Sequence, residues 1–115
     1  MSTADIERLR HMLDAAREAM GFVKDRVAED LTGDRLLLLA LVKEIEIIGE
    51  AAARISPEGR RDASGIPWQK ITAMRNRLIH GYFDWDLEVI WSTLTTSLPT
   101  LATELERALL ENAAE

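Results

Sequence analysis

The side chains best suited to chemistry stand close together in the second half of the chain. Eight consecutive positions hold two guanidinium groups, an amide, an imidazole and a phenol, from Arg75, Asn76, Arg77, His80 and Tyr82. An imidazole, with an ordinary pKa of about 6.5, can accept and return a proton near neutral pH. Polar residues elsewhere read as solvated helix surface. This stretch is therefore predicted to be the working site, and the rest of the chain its scaffold.

Helical spacing decides how these side chains can meet. Asn76 and His80 are four residues apart and share a helix face, so the amide could hold the imidazole in one orientation. Arg75 follows Ile71 by one turn and falls on the apolar side, where an unpaired charge would be costly. It needs a carboxylate, a carbonyl or a substrate phosphate as its partner. The ordinary alternatives are a capping or surface histidine and an arginine in a salt bridge, but the combination of groups favours a site.

Charge is unevenly spread over this chain of 115 residues, whose net charge is −6. Residues 54–80 carry six basic side chains and two acidic ones, and the basic set includes Lys70 and Arg77. A net acidic protein is a poor general binder of nucleic acid. A local basic cleft can still bind a phosphate backbone over a short length. Lys70 and Arg77 are therefore candidate substrate-binding residues, with ordinary surface charge as the alternative.

Apolar residues recur at steps of three and four along most of the chain, which predicts an all-α, up-and-down helical bundle. Three long helices and one short motif-bearing helix are expected in a single domain, residues 1–115. Their approximate bounds are Thr3–Val27, Asp34–Ile55, Ile66–Gly81 and Asp84 or Asp86 to Asn112. Residues 56–65 read as a loop or short turn. Pro99 should kink the last helix, since proline removes a backbone hydrogen bond.

The second predicted helix changes character along its length. Leu36–Val42 is apolar on every side, which predicts a central position or a subunit interface. Further on the pattern becomes one-sided, with Lys43, Glu44, Glu46 and Glu50 assigned away from the core. Glu46 and Glu50 lie one turn apart, but no histidine stands at ligand spacing beside them. They are read as solvated surface or a structural partner for an arginine, and no metal or other cofactor is predicted.

Several classes of protein are disfavoured by what the sequence lacks. There is no cysteine, so disulfides and thiolate metal sites are ruled out. The longest apolar run, Leu36–Val42, is too short to cross a bilayer, and the N-terminus has no basic and apolar signal region. These features predict a cytoplasmic protein without a membrane span.

The motif and its flanks resemble the HEPN superfamily, and within it the HepT-like toxins. That family carries an arginine, a polar residue, a short spacer and a histidine, with a tyrosine two positions later. Here these are Arg75, Asn76, His80 and Tyr82, and residues 48–52, 66–68 and 75–83 also look like the family. The resemblance runs from the second predicted helix into the fourth and shows no departure at the motif positions.

The resemblance implies a metal-independent endoribonuclease toxin of a type VII-like toxin–antitoxin system. Arg75, Asn76 and His80 would be its catalytic residues and RNA its substrate, and a homodimer would line a shared cleft with both motifs. The implied partner is a minimal nucleotidyltransferase antitoxin, which silences the toxin by transferring AMP to Tyr82. Two alternatives stay open: a non-catalytic HEPN binding subunit that docks on a nucleotidyltransferase, and a plain helical interaction protein.

Overall fold

The computed structural model describes residues 1–81 and 84–112, and all regular structure in these ranges is helical. The helices are α1 (Thr3–Val23), α2 (Asp30–Gly33), α3 (Arg35–Ala53), α4 (Pro57–Asp62), α5 (Trp68–His80), α6 (Leu87–Ser92) and α7 (Leu98–Asn112). A π-helical turn, Thr93–Ser97, joins α6 to α7. Helix α1 packs against both α3 and α7, and α5 packs against α3. The prediction of an all-α helical bundle is confirmed.

The core is one cluster of apolar side chains supplied mainly by α1, α3 and the last helix. Its most completely buried large members are Leu9, Met12, Leu31, Leu41, Ile90, Leu94 and Leu105. Burying each such side chain contributes roughly 1.5–3 kcal/mol before the cost in conformational entropy. The α1–α3 layer therefore gives α5 a rigid surface on which to rest.

Three of the helices begin with side-chain caps. The Asp5 N–H donates to Ser2 Oγ at 3.1 Å at the start of α1, and the Leu37 N–H donates to Asp34 Oδ1 at 3.0 Å at the start of α3. At α6 the cap is Asp86, whose carboxylate accepts from two backbone N–H groups of the first turn. Each cap satisfies N–H groups that a helix start leaves without an internal partner.

The first helix ends earlier than predicted, at Val23 instead of Val27. The chain reverses at Asp25, whose φ of 62° lies in the left-handed region that ends helices. The Val27 N–H then donates to the Asp30 carboxylate at 2.9 Å, and the four-residue helix α2 follows. This helix was not predicted.

Two local expectations around the motif-bearing helix were also wrong in detail. Residues 56–65, predicted as a loop or short turn, contain α4, which Ser56 caps through the Gly59 N–H and which begins with Pro57. Helix α5 begins at Trp68, two residues after the predicted start at Ile66, and Pro67 stands immediately before it.

The irregularity expected at Pro99 takes the form of the π-helical turn that precedes it. The Leu98 N–H donates to the Thr93 carbonyl, a step of five residues instead of four. Proline has no N–H and its ring crowds the preceding turn, so a regular hydrogen-bond ladder could not continue through this point.

The first two turns of α3 do not lie wholly in the core. Leu37 and Leu38 are buried, whereas Leu36 is 82% exposed and Leu39 is 42% exposed. In the single chain this face of α3 is therefore open to solvent, so the predicted central position is wrong for it, and the interface alternative stays a prediction. Among the residues that the structure describes, no helix has the length and apolar character to span a membrane.

Candidate functional site

The motif is carried by α5, which is fixed against the bundle at both ends. Near its start, Trp68 packs partly buried against the core, and its indole N–H donates to the Ala63 carbonyl at 3.2 Å. Near its end, Leu78 is buried, and the Trp85 indole N–H donates to the Leu78 carbonyl at 3.1 Å. The last turn of α5, where His80 stands, is therefore held in place from the following segment.

Arg75 faces α3 and pairs with a carboxylate. Its Nε and Nη2 atoms both donate to Glu50 Oε1, at 2.9 and 2.5 Å. The Arg75 side chain is 25% exposed and that of Glu50 is 49% exposed, so the pair lies at the edge of the bundle. The position of Arg75 on the apolar side of its helix required a partner, and that partner is a carboxylate. For Glu50, the sequence left two roles open, solvated surface or a partner for an arginine, and the structure shows the second.

A glycine makes room for this arginine. A Cβ atom on Gly49 would lie only 2.6 to 2.9 Å from Cβ, Cγ and Cδ of Arg75. Any larger residue at position 49 would therefore push the arginine side chain off the surface of α3. Adjacent positions on α3 thus supply the space and the hydrogen-bond acceptor for the same side chain.

Asn76 and His80 lie on an exposed part of α5. Their four-residue spacing places them on one face, as predicted, but no hydrogen bond joins them in the described part of the chain. Arg75 and His80 are five residues apart, which corresponds to roughly 140° around a helix and about 7.5 Å along it. Within one chain, the guanidinium and the imidazole therefore leave α5 on different sides.

The two predicted phosphate-binding residues are not grouped with Arg75. Lys70 is exposed near the start of α5. Arg77 borders a cavity of about 90 Å³ near the start of α6, together with Asp84 and Asp86. These carboxylates lower the local positive potential around Arg77. Tyr82 lies outside the described residues, so its predicted modification stays a prediction.

A groove between α1 and α3 was not foreseen from the sequence. It has a volume of about 610 Å³, and Glu50 is one of the residues that line it. Its walls carry basic and acidic side chains in similar numbers: Glu7, Arg8, His11, Lys43, Glu46 and Arg54. The groove forms where two helices that are far apart in the sequence pack together. The periodicity within either helix therefore could not predict it. No set of three His, Asp or Glu side chains among the described residues is placed to hold a metal ion.

Glu44 was assigned to the outer face of its helix, and this was wrong. Only 5% of the residue is exposed, and its Oε2 atom has no hydrogen-bond donor among the described residues. Burial raises the pKa of Glu44 to about 7, and the neighbouring Glu18 carboxyl adds to the effect. The spacing contained the signal, because Glu44 lies three residues after Leu41 and four before Ile48, both buried.

The chain is similar to known proteins over nearly its whole length. Residues 12–108 match the family described as "Ribonuclease HepT-like". The protein named "Putative RNase TTE0752", from Caldanaerobacter subterraneus subsp. tengcongensis, is 36% identical over 101 residues, covering 88% of this chain and 90% of the relative. "Probable ribonuclease HepT" from Thermococcus cleftensis is 31% identical, covering 93% of this chain and 97% of the relative. "Putative RNase MJ1380" from Methanocaldococcus jannaschii is 30% identical, with 92% and 98% covered. No solved structure is a significant match.

An all-helical bundle that carries an arginine-to-histidine motif on one helix is the architecture of HEPN-type proteins. The match covers most of this bundle and includes every motif position from Arg75 to Tyr82. The chain belongs to the HepT-like ribonuclease family.

Proposed function

We propose that this protein is a metal-independent endoribonuclease toxin of a type VII-like toxin–antitoxin system, acting in the cytoplasm as one HEPN-like domain over residues 1–115. One observation carries the proposal beyond family membership. The end of α5 presents an exposed imidazole, His80, on the same rigid helix as a guanidinium whose position is fixed, Arg75. A proton-transfer group and a phosphate-binding group are the two requirements for cleaving RNA without a metal.

The reaction we propose is transesterification within the RNA chain. His80 removes the proton from a ribose 2′-hydroxyl, whose oxygen then attacks the neighbouring phosphorus. The bond from phosphorus to the 5′-oxygen of the next nucleotide breaks, and an imidazolium returns a proton to that oxygen. Arg75 balances the charge that builds on the phosphate oxygens, and Asn76 orients the imidazole or the phosphate. Lys70 and Arg77 bind neighbouring phosphates.

We propose that the active form is a homodimer in which the two motifs line one cleft. Arg75 and His80 leave α5 on different sides, so a second copy of the helix would bring a guanidinium and an imidazole to one phosphate from opposite directions. With two copies of His80 in the cleft, one imidazole could act as the base and the other as the acid. The open leucine face of α3, with Leu36 and Leu39, offers apolar surface for such an association.

The test of catalysis uses the purified chain and its two histidines. His80→Ala should abolish cleavage of single-stranded RNA, because positioned proton transfer typically supplies roughly 10²- to 10⁴-fold in rate. His11→Ala is the matched control, since His11 is also an exposed histidine on a helix but lies outside the motif. The wild-type protein should cleave equally well with and without EDTA. Full cleavage by His80→Ala would remove the proposal.

We further propose that a partner nucleotidyltransferase silences the toxin by transferring AMP to Tyr82. Tyr82 follows His80 by two positions in the sequence, so the adenylate phosphate would add a bulky anion beside the cationic motif and compete with substrate phosphate. Tyr82→Phe lacks the oxygen that would accept AMP. Cells that co-express this variant and the partner should therefore stop growing, whereas cells that co-express the wild-type chain and the partner should grow. Growth of the Tyr82→Phe strain under those conditions would argue against silencing through this tyrosine.

Two observations favour a second candidate, a non-catalytic binding subunit that docks on the nucleotidyltransferase. The guanidinium of Arg75 already has a carboxylate partner, and the chain as a whole carries a net charge of −6. Both features lower the attraction for RNA phosphates. Binding of the partner without any RNA cleavage by the purified chain would select this alternative.

A further inference from the structure

The Arg75–Glu50 pair uses only one edge of the guanidinium group. A guanidinium has five N–H donors arranged in a planar fork, and a single oxygen, Glu50 Oε1, accepts from Nε and Nη2. The donors on Nη1 and the second donor on Nη2 point away from this oxygen. Two parallel donors on that far edge are the arrangement that binds phosphate oxygens in a bidentate manner.

The site around the pair is built to keep the arginine in one place. Gly49 is buried, and the Cβ, Cγ and Cδ atoms of Arg75 occupy the space that a side chain at position 49 would fill. The stem of the arginine is therefore confined by α3 while its head is held by the next residue of the same helix. A flexible side chain with several rotatable bonds thus loses most of its freedom before any ligand binds.

Exposure argues against a role confined to folding. The carboxylate of Glu50 is 49% exposed, and ion pairs at such exposed positions contribute little to stability because water and salt screen them. What the pair does fix is the direction in which the guanidinium faces.

We propose that Glu50 is a positioning residue for Arg75 in RNA cleavage, an inference that rests on the proposed ribonuclease function. Glu50 holds the Nε edge of the guanidinium so that the opposite edge receives the scissile phosphate. Preorganised donors stabilise a transition state better than donors that must reorient during the reaction. The carboxylate also neutralises part of the charge on Arg75. We therefore expect Glu50 to increase the rate of the chemical step and not the affinity for RNA.

The experiment measures kcat and KM for a short single-stranded RNA with variants at position 50. Glu50→Ala should lower kcat by roughly 10- to 100-fold, the usual cost of a misplaced catalytic group. Its KM should stay equal or fall, because a negative charge near the substrate phosphate has gone. Glu50→Gln keeps an oxygen acceptor at the same distance and should recover most of the lost kcat. Glu50→Asp, shorter by one methylene, should not.

Two further variants make the result specific. Glu46→Gln changes a carboxylate one turn earlier on α3, in the same groove wall, and should leave kcat at the wild-type value. In the Arg75→Ala background, adding Glu50→Ala should cause no further loss, since a positioning residue acts only through its partner. Thermal unfolding of all variants should match the wild type, which separates positioning from a folding defect.

The outcomes distinguish this inference from the function on which it rests. If Arg75→Ala and His80→Ala strongly lower kcat while Glu50→Ala keeps the wild-type kcat, the ribonuclease stands and the positioning role fails. A kcat raised by Glu50→Ala would show that the carboxylate competes with phosphate for the guanidinium, which also overturns the proposal. If the wild-type chain leaves RNA intact, both proposals fall together.

Discussion

Two carboxyl groups meet between α1 and α3, where Glu44 is buried next to Glu18. When Glu44 is ionised, its Oε2 atom has no donor among the described residues. When it is protonated, its own O–H can donate to the Glu18 carboxylate. Burial, reinforced by Glu18, accordingly raises the pKa of Glu44 from 4.5 to about 7. The pair is thus most stable while it shares a proton.

This arrangement predicts how stability depends on pH. The folded state holds the Glu44 proton between pH 4.5 and about 7, whereas the unfolded chain has released it. The stabilising proton is therefore lost as the pH rises through neutrality. Glu44→Gln, which cannot ionise, should raise the free energy of unfolding at pH 8 by roughly 1–3 kcal/mol relative to wild type. Urea unfolding of both proteins at pH 5, 6, 7 and 8 measures this difference in the free energy of unfolding.

The control for this prediction is Glu46→Gln, two residues further along α3 and less deeply buried. It should keep the pH dependence of the wild type. If Glu44→Gln and wild type lose stability in parallel between pH 6 and 8, the shared proton contributes nothing to folding.

Arg75 shows at the residue scale what the sequence could and could not predict. Its need for a partner followed from its position one turn after Ile71, on the apolar side of a helix. The identity of that partner, Glu50, depends on how α3 and α5 cross, and no local pattern encodes that crossing. Glu44 was misassigned because its charge was given more weight than its spacing between buried residues.

At the scale of elements, the starts of α1 and α4 are joined by one buried carboxylate. Asp5 Oδ1 accepts from the Ser56 N–H at 3.1 Å, and Asp5 Oδ2 accepts from the Ser56 hydroxyl at 2.5 Å. Burial alone would raise the pKa of Asp5, but the hydrogen bonds from Ser56 and Ser2, together with the charge of Arg8, outweigh it and lower the pKa. Two helix starts far apart in sequence are thereby held against each other.

Removing this carboxylate should loosen both helix starts. Asp5→Ala should lower the free energy of unfolding by about 2 kcal/mol, because two hydrogen bonds to a charged group are lost and the partly buried Ser56 donors lose their acceptor. Since the pKa of Asp5 is lowered on folding, the wild-type contribution is present above the unfolded pKa of 3.8 and is lost as the pH falls through the folded value.

Denaturation at pH 7 and pH 3 tests this. The gap between wild type and Asp5→Ala should narrow at the lower pH, while Asp14→Ala, an exposed change on the same helix, should cost little at either. An equal gap at both pH values would contradict the assigned role.

The long helices were predictable because each carries an apolar stripe over several turns, long enough for the period to be read. Helices α2 and α4 span four and six residues, which is too short for any period. Their signals were capping and turn residues alone, as with Ser56 before α4 and Pro57 at its first position. Short helices of this kind exist because the surrounding bundle holds them, and that context is absent from the local sequence.

At the scale of the whole molecule, the uneven charge should limit how RNA binds. The basic residues between 54 and 80 can contact only a few phosphates, and the acidic remainder repels the rest of the strand. Each phosphate contact with a single strand contributes about −0.7 to the slope of log affinity against log salt concentration. Lys70→Ala should therefore weaken binding to all RNA sequences alike and reduce the magnitude of that slope by about 0.7.

Lys24→Ala is the matched control for charge, since Lys24 is an exposed lysine at the end of α1, outside the basic segment. It should leave the slope unchanged. Equal effects of the two substitutions would mean that RNA responds only to the overall charge of the protein.

The wide turn at Thr93–Ser97 bears on the tolerance of this fold to changes in length. A hydrogen-bonded loop of the π type encloses one more residue than an α-helical loop between the same flanking faces. The apolar side chains before and after it already point at a common core. Removing a single residue there would take out the extra position of the bulge without re-aiming the apolar side chains on either side, so this turn is the natural place for relatives of different length to lose or gain a position.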